Sequence, residues 1–229
     1  MARPLPEKIK WIEERIEKSS ALIAEAFSQK DYGQIQLSSS LLANHQMKLG
    51  LLHWRQKKDP TLYFKAAVSS INLTSSHLGA LDPESRPTDL LPVTGIIYAA
   101  FLSNFPFIPL GLDQQNGHSL ARAFFGNVLI GSADIADWPK YRDALPRVRR
   151  TELARRTNEL YADLLAGRIA PDIGVKLGEK FWEERENNEW FLDGGEGGGD
   201  DNHRLVDYRL GAILKKIGST VPTIHAWVW

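Results

Sequence analysis

Apolar residues in this chain recur at three-, four- and seven-residue steps, segment after segment, and that period constrains the fold more than any other feature. Side chains so spaced share one face of an α-helix, whereas a half-buried strand needs alternation at every second residue. Ile9, Ile12, Ile16, Ile23 and Phe27 mark a first helix that starts after Pro4 and Pro6 and runs to about Gln29. Ile35, Leu42, Leu49 and Leu52 mark a second, from about Tyr32 to Lys57, with Leu41, Met47 and Leu51 widening its stripe. The connection between them is short, so the two are expected to form a hairpin. Asp59 and Pro60 set an acidic cap and a first-turn proline ahead of Phe64, Ala67, Val68, Ile71, Leu78 and Leu81, the apolar face of a third helix.

From Leu90 to Leu112, "LLPVTGIIYAAFLSNFPFIPLGL", no side chain is charged, and the length alone would cross a bilayer. Pro92, Pro106 and Pro109, with Ser103 and Asn104, leave only about a dozen uninterrupted helical residues, which predicts a buried central helix rather than a membrane span. Further helices are expected over Ser119 to Ile130 and, briefly, from Asp137-Trp138-Pro139. Leu153, Leu160 and Leu164 share a face in "RVRRTELARRTNELYADLLAG", with Gly167 as the stop. Ala170-Pro171 opens a helix with Ile173, Leu177 and Phe181 inward. Val206, Leu210, Ile213 and Ile217 form a last one, stopped by Gly218. Only the tail "VPTIHAWVW" has strand character. The expected fold class is therefore all-α: a multi-helix bundle or an array of helical hairpins, with a short extended C-terminal tail. It is expected to be a single domain over 1–229, with lobes 1–136 and 137–229.

Residue types exclude much chemistry. With no cysteine there is no disulfide, no thiolate metal site and no cysteine nucleophile, which fits a reducing compartment such as the cytoplasm. The N-terminal "MARPLPEKIKWIEERIEKSS" lacks the apolar core of a signal peptide. His45 and His53 are separated by two helical turns, about 12 Å of rise, so they cannot share a metal. His45, His77 and a distant carboxylate are the metal arrangement left open, against the plainer reading of a buried, hydrogen-bonded imidazole. "GGEGGGDDN" matches neither a calcium-binding nonapeptide array nor an EF-hand, and its acids would repel a phosphate. No nucleophile elbow, kinase signature or paired carboxylate–histidine motif occurs. No catalytic residue, metal or cofactor is predicted, and an enzyme is not expected.

Charge is balanced over the whole chain but not along it. Lys140 to Arg156 holds seven basic residues against two acidic ones, and Glu179 to Asp207 holds ten acidic against three basic. The arginines scatter around their helix without interleaved aromatics, so they suit a solvated face or an internal counterpart to the acids better than nucleic acid. Trp182, Trp190 and Phe191 lie among acids, and the glycine loop after them can adapt to a partner. Aromatic anchors in an acidic field suit capture of a basic protein. The predicted partner-binding set is Glu183, Glu184, Glu186, Trp190, Asp193, Glu196, Asp200 and Asp201, with no nucleic-acid or membrane partner.

A cysteine-free, all-helical chain of this size, with an acidic helix and acidic loop before "VDYRLGAILKKIG", resembles the helical immunity proteins of bacterial polymorphic-toxin systems, including those of type VI secretion. The likeness covers the general layout and the segment from Phe181 to Ile217, and it carries over no functional residue. It implies a non-enzymatic inhibitor whose acids cover the basic active site of a cognate toxin. The alternative is a helical-repeat-like adaptor that binds a peptide in a groove between helix pairs.

Overall fold

In the computed structural model, which describes residues 5–81, 93–107, 109–112, 117–143, 152–186, 206–221 and 223, the 3.6-residue period becomes nine α-helices and one 3₁₀ turn. No strand occurs among the described residues, and the fold is all-α. The chain divides into two compact units, Met1–Phe107 and Ile108–Trp229.

The first unit is built from α1 (Leu5–Gln29), α2 (Tyr32–Arg55), α3 (Thr61–Leu81) and α4 (Val93–Leu102). The Asp31 carboxylate accepts the Gln34 N–H at 3.0 Å and starts α2, and Asp59 accepts the Thr61 N–H at 2.8 Å ahead of α3, as the Asp-Pro signal predicts. α2 packs against α1, α3 and α4, so it is buried on most sides. Its small residues permit this: Ser38, Ser39 and Ser40 are all buried. At Gly50 the Phe64 ring comes so close that a Cβ would lie 2.6 Å from Cε1.

Ile35, Leu42, Met47, Leu49, Leu51 and Leu52 are enclosed as expected, but Leu41 is not. It stands in line with exposed Leu37, on an arc of α2 left uncovered among the described residues. In α3, Phe64, Ala67, Val68 and Ile71 face the core; the side chains of Leu78 and Leu81 lie outside the described residues. α4 is the helical part of the uncharged run, with Ile96, Ile97 and Tyr98 wholly enclosed. The Ser103 hydroxyl donates to the Ala99 carbonyl at 2.7 Å, and Asn104 turns to φ 53°, ending the helix after ten residues. No helix among the described residues is long and apolar enough to cross a membrane.

The second unit holds α5 (Gly117–Leu129), the 3₁₀ turn (Ile135–Asp137), α6 (Trp138–Arg142), α7 (Glu152–Leu165), α8 (Pro171–Glu186) and α9 (Tyr208–Lys216). Its helices are shorter, and specific polar contacts join them. Asn127 Nδ2 donates to the Leu110 carbonyl at 2.8 Å while its Oδ1 accepts the Leu110 N–H at 2.9 Å, replacing for that buried segment the pairing a helix would give. Trp138 stacks on Phe124 and Phe125 and donates its indole N–H to Glu159 at 3.3 Å. The Tyr161 hydroxyl donates to Asp207 at 2.6 Å, and the other oxygen of that buried carboxylate accepts the Leu210 N–H at 3.2 Å, capping α9. Leu153, Leu160 and Leu164 of α7 and Val206, Leu210 and Ile213 around α9 are buried as their spacing predicts. Most of the expected extended tail lies outside the described residues; within it, the Thr223 hydroxyl donates to Glu179 at 2.7 Å.

Candidate partner-binding surface

α8 leads into the acidic segment, and the way it packs decides which side chains it offers outward. Apolar spacing predicts Ile173, Leu177 and Phe181 inward. Only Phe181 is buried; Ile173 is 49% exposed and Leu177 37%. The helix is rotated so that Gly174 and Gly178, one turn apart, meet its neighbours. A Cβ at Gly174 would stand 2.4 Å from Leu164 Cδ2, and one at Gly178 2.6 Å from Leu210 Cδ2. Each glycine costs a helix about 1 kcal/mol relative to alanine, so two of them at this spacing are offset by the close approach they allow to α7 and α9.

The consequence is an outward ridge on α8. Ile173 and Leu177 sit side by side on it, flanked by exposed Asp172, Lys176, Lys180 and Glu183. Leaving two such side chains half in water forgoes roughly 1 kcal/mol each relative to burial. An apolar centre with a charged rim is the composition of a protein–protein contact.

The predicted acids divide. Glu183 is exposed on α8. Glu184 is used internally: its carboxylate lies 3.1 Å from Arg156, whose guanidinium also rests 4.4 Å over the Phe181 ring. One member of the basic run is thus the internal counterpart of one member of the acidic run. A half-exposed pair of this kind contributes at most about 1 kcal/mol. Elsewhere in the basic run, Arg155 is held by Glu152 at 2.6 Å, and that bond raises the pKa of Arg155 and lowers that of Glu152. Glu186 ends α8. Trp190, Asp193, Glu196, Asp200 and Asp201 lie outside the described residues.

His45 meets Trp11 edge-on, with ring centroids 6.1 Å apart, and its Nδ1 is buried without a hydrogen-bond partner, unlike the bonded imidazole expected. Burial, then the charges of Lys48 and Arg15, lower its pKa to about 4. It packs as a neutral ring. The His77 side chain lies outside the described residues, among which no group of three or more histidines and acids could hold a metal.

Periodicity alone missed the Ile173–Leu177 ridge. The signal that reveals it is the Gly174/Gly178 pair, which competes with the large apolar residues for the inward face. Comparison with protein-family models, curated proteins and solved structures finds no match.

Proposed function

We propose that this protein is a non-enzymatic inhibitor that sequesters a basic protein, in the manner of an immunity protein against a bacterial toxin, through the outward face of α8 and the acidic segment that follows. The observation that carries this reading is the exposure of Ile173 and Leu177 on the helix that leads into the acids. Apolar side chains at the centre of a contact supply most of its affinity, while surrounding acids raise the rate of encounter with a positively charged surface. The rim on the described part of that surface is mixed, Asp172 and Glu183 against Lys176 and Lys180, so the acidic excess of this reading comes from the sequence after α8. The test is co-expression with the basic toxin domain encoded by a neighbouring reading frame. The reading predicts rescued growth and a complex that survives gel filtration. A toxin that kills equally with and without this chain, and never co-purifies with it, contradicts it.

A further inference from the structure

Three helices of the second unit end around one cleft. α5 stops at Leu129, α7 at Leu165 and α9 at Lys216. Each end closes on a glycine in the left-handed region, Gly131, Gly167 and Gly218, at φ 80°, 66° and 64°. The residue after each glycine turns its N–H back to the last turn: Ser132 to the Asn127 carbonyl at 2.8 Å, Arg168 to Asp163 at 2.9 Å and Ser219 to Leu214 at 2.9 Å. Val128, Asp134, Ile135, Leu165, Lys216 and Ile217 are among the residues lining an open cleft of about 660 Å³ there.

The lining carries one acidic and one basic side chain, Asp134 and Lys216, so its formal charge is balanced and the helix ends set its local polarity. Helix C-termini carry partial negative charge, and here three of them are close together. The exposed Asp134 carboxylate adds a full charge; one of its oxygens accepts the Ala136 N–H at 2.9 Å, and the other meets no donor among the described residues. Nor does any described donor bond the Leu165 carbonyl at the end of α7. The chain already answers this field at one corner: the Lys216 ammonium donates to the Leu129 carbonyl at 3.1 Å, closing the end of α5. The second Asp134 oxygen therefore remains an open acceptor in a cleft that Leu165 also lines, between apolar walls of Val128, Ile135 and Ile217. A basic side chain fits that combination, with its aliphatic stem on the walls and its donors on the acceptors.

We infer that the cleft receives a lysine or arginine side chain presented by the protein partner. This rests on the reading of that partner as basic, and it adds a second point of attachment away from the α8 ridge. Lys216 competes for the same field, so the two charged residues of the cleft have opposite effects on binding.

The probe is N-acetyl-arginine amide, with the uncharged isostere N-acetyl-citrulline amide as control, titrated into the full chain while backbone amide resonances are followed. Saturable shifts are expected at Ser132 to Ile135, Leu165 and Ile217 with the arginine compound alone. Asp134→Asn keeps the oxygen that caps the 3₁₀ turn and should weaken binding about threefold, the effect of one exposed charge, whereas Lys216→Gln should tighten it. No saturable shift at these residues, an equal response to citrulline, or affinity unchanged in both variants overturns the inference. The probe needs no partner, so its failure leaves the α8 reading standing. Intact probe binding alongside failure to bind any toxin would instead count against the partner reading alone.

Discussion

The two units stop their helices with the same backbone turn but with different residues. In the first unit the left-handed positions are Lys30, Lys57 and Asn104, at φ 56°, 58° and 53°; in the second they are Gly131, Gly167 and Gly218. A side chain at such a position costs on the order of 1 kcal/mol, and glycine avoids that cost. The first unit carries it on helices of 25, 24 and 10 residues, of which α2 has a long buried face and α4 is largely enclosed. The glycine stops of the second unit close helices of 13, 14 and 9 residues, where a frayed last turn would be a larger share of the helix. Enclosed helices such as α2 and α4 tolerate strained ends, whereas the second unit pairs glycine stops with specific polar ties.

The sharpest way to break this comparison is to cut one of those ties. Asn127→Ala leaves both the N–H and the carbonyl of Leu110 without their partner in the interior, and a loss of about 3 kcal/mol in urea unfolding is expected. Retention of wild-type stability would mean that the second unit does not depend on such contacts. Swapping the stops gives smaller effects of opposite sign. Gly218→Ala should destabilise by about 1 kcal/mol, and Lys57→Gly should stabilise by a few tenths, less than the relief of strain because glycine loosens the unfolded chain. Equal effects at the two sites would erase the distinction between the units.

A separate effect is the pH dependence that His45 gives the first unit. The folded chain holds His45 near a pKa of about 4, against an ordinary value of 6.5. Above pH 6.5 the imidazole is neutral in both states and its burial costs no proton. As pH falls from there toward about 4, the unfolded chain takes up a proton that the folded one excludes, so stability falls across that window. The neighbouring Lys48 and Arg15 act in the same direction. His53 is lowered too, by burial first and then by Lys58, with Glu13 opposing. Unfolding midpoints of wild type and His45→Gln, compared from pH 7 to pH 4, should converge as the pH drops, with the variant the less pH-dependent. Parallel curves would show that His45 is hydrated in the fold.

Most of the helices were legible because their large apolar residues fall on one face with nothing competing for it. α7 and α9 show this, through Leu153, Leu160 and Leu164 and through Leu210 and Ile213. Helix stops were legible where glycine supplies them, at Gly167 and Gly218. Periodicity failed at Leu41 and along α8 for related reasons. In α2 the serines at 38, 39 and 40 take packed positions that a hydrophobicity reading gives to larger residues. In α8 two glycines take the inward face, because close approach of helix axes can outweigh burial of an isoleucine and a leucine. The proposed surface was legible as a charged segment only, since the exposed apolar pair Ile173 and Leu177 appears only once the rotation of α8 is known.

The central claim is that the outward face of α8 binds a basic partner, and the most direct test separates binding from folding on that one helix. Ile173→Lys with Leu177→Lys replaces two exposed apolar side chains with good helix formers, so melting should stay within about 4 °C of wild type. The same change removes the apolar centre and sets positive charge against a positive partner. Affinity for the proposed basic partner, measured by surface plasmon resonance, should fall at least about a hundredfold, an effect of hot-spot size. Wild-type affinity in this double variant, with its fold intact, would contradict the claim and remove the α8 face from the interface.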